Sequence, residues 1–474
     1  MTRSYNRTKI IATVGPMSRS YETLVDLVKA GVDVFRINFS HGTHEEHKIT
    51  FGYIHKINQT FGLRIGILAD LQGPKIRIGD AKSGVILSKN DIVRITNKQS
   101  ISTETDIFVN YKNLAKEVKA GEKILIDDGK IELQVLETNG KDSVKAKVLH
   151  GGELHSKKGV NLPDTKLSVA AYTKKDLDDL KFALENKASW IAISFVRSAK
   201  DITHIRKHIK DRNAVKVMAK IEKPEAMEHI EEIIKEAYAI MIARGDLGVE
   251  VPLEKMPFIQ KSIVRRCIRA SKPVIVATQI LDSMVTNARP TRAEINDVAN
   301  DMIDGADALL LSNETSVGAH PVKVVETLER IMKYVESKEV VYNKNLIPQK
   351  TSKSFLSDAV CYNACKIAEE LGAKVIVGMT RSGYTAFMLS SYRPHAKIII
   401  FTDNEALLAI LSVSWGVYPF YYNGFVSTDE TISDVIKILK EKKLVAPGDI
   451  IVNTGSMPIQ KQLRTNMLKV SMVE

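Results

Sequence analysis

The chain has 474 residues, 44% of them hydrophobic and 26% charged, and a formal net charge of +12. That length leaves room for about two to four domains around a sizeable core, and no apolar run approaches the roughly 20 residues that span a bilayer. The basic residues are scattered among 56 acidic ones with no aromatic-laced basic run, which argues against a dedicated nucleic-acid binder and leaves a field suited to phosphorylated metabolites.

The opening MTRSYNRTKIIATVG passes from a basic tail into a strand with no apolar signal core. Cys267, Cys361 and Cys365 are few and odd in number, which suits a reducing compartment; a cytoplasmic location is the expectation. Residues 9–15 read as a buried strand and 20–30 as an amphipathic helix closed by Gly31. A second strand over 32–40 turns polar at its end, where period two puts Arg36, Asn38 and Ser40 on one face, followed by His41 and Gly42. Helix 44–62 and strand 64–70, ending in Asp70, follow. The texture then changes: residues 78–168 carry short alternating strands broken by Gly, Asn and Asp, the pattern of a small all-β barrel or sandwich inserted into an α/β chain.

The α/β rhythm resumes with helix 173–186, strand 190–196 and helix 199–210. Strands 215–220 and 239–243 flank a helix-like segment rich in Glu, Ile and Met. Each ends abruptly in charge, Lys220 and Glu222 after the first, Arg244 and Asp246 after the second. Two surface salt bridges would explain these residues, but charge at the end of a buried strand is costly unless used. The sharper reading is a divalent-metal site from Glu222 and Asp246, whose hard oxygens suit Mg²⁺, with Lys220 beside it handling a phosphate or enolate. Helix 254–270, strand 273–279, helix 291–304 and strand 306–311 complete eight strands outside the insertion. They predict a TIM (β/α)8 barrel with its site at the strands' C-terminal ends. Arg36, Asn38, Ser40, Asp70, Ser194, Lys220, Glu222, Arg244, Asp246, Thr278 and Glu314 all fall there.

Helix 322–338 and a polar linker (343–353) lead to a separate open α/β sheet over 354–474. Within it Thr380-Arg381-Ser382-Gly383-Tyr384-Thr385 lies between a strand and a helix N-terminus, where backbone amides favour anions. A plain strand-to-helix turn accounts for those residues equally well.

The ordered motifs TKIIATVGP (8–16), FRINFSHG (35–42), DLQGPKIR (70–77), KGVNLP (158–163), ISFVR (193–197), AKIEKPE (219–225), ARGDLGVE (243–250), PVIVATQILDSM (273–284) and the long run 290–321 resemble the pyruvate kinase family, over essentially the whole chain. The bacterial, potassium-independent group is the nearer match. The resemblance implies three units: a catalytic barrel over 1–77 and 169–345, an inserted β-barrel lid over 78–168, and a C-terminal α/β regulatory domain over 354–474. It implies phosphoryl transfer from phosphoenolpyruvate to ADP, with Mg²⁺ (or Mn²⁺ in its place) held by Glu222 and Asp246.

By the same resemblance, Lys220 and Arg36 face the phosphoryl group and Lys220 also stabilises the enolate. Backbone amides around Ala243, Arg244, Gly245 and Asp246, with Thr278, receive the carboxylate, and Thr278 lies near the carbon to be protonated. Asn38, His41 and Arg77 resemble nucleotide contacts, while Ser194 and Glu314 support the others from behind. Members that use K⁺ hold it with groups at Asn38, Ser40, Asp70 and Leu71. They carry glutamate where this chain has Lys75, and usually threonine where it has Leu71. Lys75 is therefore the expected internal cation and K⁺ is expected to be dispensable.

Departures at Asn313, Ser189-Trp190 and Val169-Ala170-Ala171 should alter packing only. Thr380, Arg381, Ser382, Gly383 and Thr385 resemble the family's effector-phosphate loop. GSMPIQKQLRTN (455–466) lacks the Gly-Ser-Gly pattern of members activated by a bisphosphate, so a sugar monophosphate or AMP is the better-fitting effector. A homotetramer is implied.

Two rivals compete. A Mg²⁺-dependent aldolase of the oxo-acid class would share the carboxylate pair and an arginine, but would need neither the insertion nor Lys220 beside the metal. A basic scaffold on an inactive barrel would have lost Arg36, Lys220, Glu222, Asp246 and Thr278, all of which are present.

Overall fold

The computed structural model describes residues 6–168, 170–338, 343, 346–458 and 463–474. The expected domain limits at 169 and 345, the Val169 departure and part of the 455–466 segment thus lie outside the described residues. Strands Lys9–Thr13, Val34–Asn38, Gly66–Asp70, Trp190–Ile193, Lys216–Ile221, Ala239–Ala243, Val274–Ala277 and Ala308–Leu311 pair in chain order as a closed parallel barrel. Lys9 meets Ala308 where the ring closes. Trp190 pairs with Leu68, so the inserted segment leaves and rejoins the barrel without breaking its hydrogen-bond ring. Local chemistry agrees with this: Thr291 and Glu294 form a capping box at the start of helix Arg292–Asp304, and Gly305 ends it in the left-handed region.

The two mouths of the barrel differ. Inside it Ile11, Val34, Leu68, Trp190, Met218, Met241, Ile275 and Leu310 belong to one buried cluster with Ile410, Leu411 and Val413 of the C-terminal unit. Trp190 Nε1 donates to the Ile410 carbonyl at 3.2 Å. At Gly66 a Cβ would stand 2.7 Å from Ser412 Oγ and 3.0 Å from the Ala409 carbonyl, so the C-terminal unit seals the strands' N-terminal ends. Chemistry is left to the opposite mouth.

Several strands stop earlier than the periodicity predicts, each for a visible reason. Asn38 Oδ1 accepts the Ser40 amide at 3.1 Å, turning the chain out of the second strand. The fourth and seventh end before residues with positive φ, Phe195 at 56° and Thr278 at 77°. Between strands five and six lie two short helices, Glu225–Glu228 and Ile230–Glu236, separated by His229. Helix 199–210 ends early, at Arg206.

The inserted residues form a six-stranded sheet and a two-stranded ribbon around a core including Ile78, Val93, Ile124, Leu133 and Val148. Arg77 bridges to Gly159 beside one edge strand (Val160–Asn161), and Ile78 to Val109 beside the other (Asp106–Phe108). The entering segment therefore ties both edges together. The periodicity missed those two short strands and Gly152–Glu153. The C-terminal sheet runs Val417–Tyr421, Lys397–Thr402, Val375–Met379, Ile450–Gly455 and Met467–Met472 in spatial order, the last antiparallel. Among the described residues no helix is long and apolar enough to cross a membrane.

Candidate active site

Asp70, the last residue of the third strand, is fully buried and would be costly without partners. Its Oδ2 takes Arg36 Nε and Nη2, both at 2.7 Å. Its Oδ1 lies 3.2 Å from Lys220 Nζ, an ion pair without hydrogen-bond alignment. Arg36 Nη1 donates to Thr13 Oγ1 at 3.0 Å. Burial opposes ionisation of Asp70, but Lys220 and Arg36 outweigh it and hold the carboxyl below its usual range.

Lys220 is the centre of the group. Its Nζ lies 2.9 Å from Glu222 Oε1 and donates to Ser194 Oγ at 2.8 Å. Ser194 in turn donates to the Leu71 carbonyl at 2.8 Å. Burial works against the ammonium, yet Asp70 and Glu222 raise its pKa well above the usual value, so it stays charged throughout the working pH range. Glu222 Oε2 accepts the Phe195 amide at 2.7 Å. Burial, helped by the charge of Asp246 and opposed by Lys220, raises the Glu222 carboxyl.

Asp246 sits on helix Arg244–Glu250, which starts as the sixth strand ends. Lys75 Nζ lies 3.4 Å from Asp246 Oδ1. His41 is held below the ordinary imidazole pKa by burial and by Arg77, Arg36 and Lys75. The charges of three cations are thus felt at His41, a setting for an anion. Arg77 is anchored from the inserted unit, its Nη1 donating to the Lys157 carbonyl at 2.9 Å.

Thr278 and Gln279 both have positive φ, 77° and 55°. A Cβ at Gly245 would stand 2.8 Å from Thr278 Cγ2, so this glycine lets the two turns touch. The Arg244 side chain points to that turn, giving Nε and Nη2 to the Thr278 carbonyl at 3.1 and 2.9 Å. Glu314 is buried, accepting the Leu281 and Ser312 amides at 3.2 and 2.7 Å.

The structure thus gathers Arg36, Asp70, Ser194, Lys220 and Glu222 through direct contacts and brings Lys75 to Asp246. Thr380–Thr385 lies apart, on the C-terminal unit, where all but Gly383 line a cavity of about 660 Å³ with Arg464 and Asn404. The sequence reading missed Asp297 and Asp301, behind Arg244, and Glu250, which takes Lys223 and Asn161 of the inserted unit. The one available signal was three acids, Asp297, Asp301 and Asp304, on one face of a helix.

The hard oxygens of Glu222 and Asp246, the charge of the second disfavouring that of the first, fit a divalent cation that would keep some ligands for substrate and water. The arrangement otherwise offers two fixed cations at a half-dry site, suited to stabilising a migrating anionic group.

Residues 5–325 match the family described as pyruvate kinase, barrel domain, and residues 358–471 the pyruvate kinase alpha/beta domain. A pyruvate kinase of Corynebacterium glutamicum is 41% identical over 98% of both chains. That of Staphylococcus haemolyticus is 41% identical over 98% of this chain and 80% of its own. The crystal structure of a Cryptosporidium parvum pyruvate kinase superposes with a TM-score of 0.92 at 32% identity, covering 99% of this chain and 96% of that one.

Proposed function

The chain belongs to the pyruvate kinase family, phosphotransferases that move the phosphoryl group of phosphoenolpyruvate to ADP, and on that premise we propose that Lys220, Arg36 and Thr278 carry the reaction. The observation behind this reading is the buried Lys220 ammonium held between Asp70 and Glu222 at the open mouth of the barrel. A transferring phosphoryl group spreads charge over its oxygens and asks for positioned cations rather than covalent help. Arg36, fixed by Asp70 and Thr13, meets that group from one side. Lys220 meets it from the other and stays to stabilise the enolate. The substrate carboxylate lies on the amides of Ala243, Arg244, Gly245 and Asp246 with Thr278, which places the Thr278 hydroxyl, or a water on it, to give the enolate carbon its proton.

Family members need a divalent metal; here Mg²⁺, with Mn²⁺ able to replace it, would sit on Glu222 and Asp246. When bound it supplies charge neutralisation and a template for the substrate's carboxylate and phosphoryl oxygens. His41, neutral among Arg36, Lys75 and Arg77, receives the nucleotide with Arg77 and Asn38. Lys75, beside Asp246, supplies the charge that K⁺ brings elsewhere to Asn38, Ser40, Asp70 and Leu71, so K⁺ is dispensable.

The barrel (1–77 and 169–345) is catalytic, residues 78–168 act as a lid, and 354–474 regulate. Thr380, Arg381, Ser382, Gly383 and Thr385 bind a phosphorylated effector, a sugar monophosphate or AMP. The working form is a cytoplasmic homotetramer. Pyruvate formation with Mg²⁺ in K⁺-free buffer, with and without KCl, tests the central claim. Turnover near maximal without K⁺ supports it, strong activation by K⁺ removes the role of Lys75, and a Lys220→Ala chain as active as the parent removes that of Lys220.

A further inference from the structure

Two consecutive non-glycine residues at positive φ, the first β-branched, persist only where their surroundings over-determine them. At Thr278 and Gln279, Gly245 faces the Thr278 side chain on one side, where a Cβ would stand 2.8 Å from its methyl. On the other, Arg244 spends three donated hydrogen bonds on their carbonyls, at 2.9 to 3.1 Å. Arg244 can hold that turn only if its guanidinium is itself held. Its Nη1 lies 2.7 Å from Asp297 Oδ2 and 3.4 Å from Asp301 Oδ2. Asp297 is 44% exposed and screened by water, whereas Asp301 is 1% exposed. Asp301 is locked in turn by Gln260 Nε2, which donates to its Oδ1 at 2.6 Å. The remaining acid nearby, Asp304, is paired with Lys261. The buried carboxylate therefore faces one cation, and that cation faces the catalytic turn.

We propose that Asp301 is a positioning residue for the reaction, acting through the Arg244 guanidinium to hold Thr278 in its left-handed turn. This rests on the reading of Thr278 as a substrate contact. Asp301 touches no substrate. Its contribution is the orientation of the group that does, and small misplacements of such a group are expensive in rate.

The test compares Asp301→Ala, Asp301→Asn, Thr278→Ala and the Thr278→Ala/Asp301→Ala double variant of the full chain. It follows kcat, KM for ADP, and deuterium entry into the pyruvate methyl group in D₂O, which reports the proton step in reverse. Asp301→Ala should lower kcat and deuterium entry by about tenfold or more and leave KM for ADP within about twofold. Asp301→Asn should recover part of the loss, because its amide oxygen can accept from Arg244. In the Thr278→Ala background the Asp301 change should cost under about twofold more, since both act at one place.

A fully additive double variant, or a loss that merely follows the folded fraction, overturns the proposal. Should Asp301→Ala not fold, the near-isosteric Asp301→Asn carries the comparison: lowered kcat at unchanged KM for ADP supports it, and wild-type kcat overturns it. An impaired Thr278→Ala beside an unimpaired Asp301→Ala sinks the positioning role alone. A wild-type Thr278→Ala sinks the reading of Thr278 and the proposal with it.

Discussion

Lys220 Nζ lies 2.9 Å from Glu222 Oε1, two residues along the same extended segment, with both groups buried. Alternation along a strand puts residues two apart on one face, so the chain itself delivers a cation and a metal-type donor to the same point. The pairing has a consequence that separates catalysis from assembly. Lys220→Met should lower kcat by about 10³-fold, while Mn²⁺ binding, followed by electron paramagnetic resonance, should be kept or tightened because Glu222 has lost its competing cation. Weaker Mn²⁺ binding would mean that Lys220 only holds the site together.

Lys75 offers a gain-of-dependence experiment. Its ammonium is 3.4 Å from Asp246 Oδ1 and about a quarter exposed, so its charge is partly screened. Lys75→Glu replaces that cation with a carboxylate beside Asp246. Turnover in K⁺-free buffer should fall by about tenfold and return on addition of KCl. Loss without rescue would show that Lys75 does something other than stand in for a monovalent ion.

The barrel was readable because its eight strands are short apolar runs tipped with polar or charged residues, and that pattern points to the mouth of a parallel barrel. Strand ends were less readable. The Asn38 side chain capping the Ser40 amide, and the positive φ of Phe195 and Thr278, are decided by partners distant in sequence or by turn geometry. The direction of Arg244 was hidden for the same reason. Its spacing from Asp246 marks a strand end, but only the folded chain shows its guanidinium turned to Thr278 rather than to the open site. Asp301 could not be singled out from the sequence, because its partner Gln260 comes from a neighbouring helix.

Asp301 also couples stability to pH. Burial raises its pKa to about 7; Arg244 opposes the shift and Asp297 adds to it. Between about pH 4 and pH 7 the folded chain keeps a proton that the unfolded chain has released, so this group's contribution falls as pH rises. Asp301→Asn is neutral throughout. Its stability relative to the parent should therefore increase from pH 5 to pH 8, by on the order of 1–3 kcal/mol, read from urea unfolding at the two pH values. A difference independent of pH would reject the buried, reluctant carboxylate. With the kinetic loss proposed above, the same substitution would remove a pH-dependent cost to the fold and slow the enzyme, the exchange expected where a site is tuned for activity rather than stability.

Arg393 joins the sealed mouth of the barrel to the C-terminal unit. Its Nη1 lies 3.0 Å from Asp307 Oδ1, its Nη2 donates to the Gly305 carbonyl at 2.7 Å, and its guanidinium covers the Trp415 ring at 4.9 Å from the centroid. Asp307 sits just before the last barrel strand, buried, and also accepts the Trp415 amide. Arg393→Met keeps most of the volume and removes the charge, leaving the buried Asp307 without its ion-pair partner. Breaking one side of such a pair costs about 3–5 kcal/mol, so the unfolding midpoint should drop clearly. Because the amide of Trp415 still ties the carboxylate, the barrel should survive while the junction loosens. Hydrogen exchange should then quicken in residues 405–417 before it does in the barrel strands. An unchanged midpoint, or exchange that rises first in the barrel, would show that the junction is held by its apolar surface and not by this ion pair.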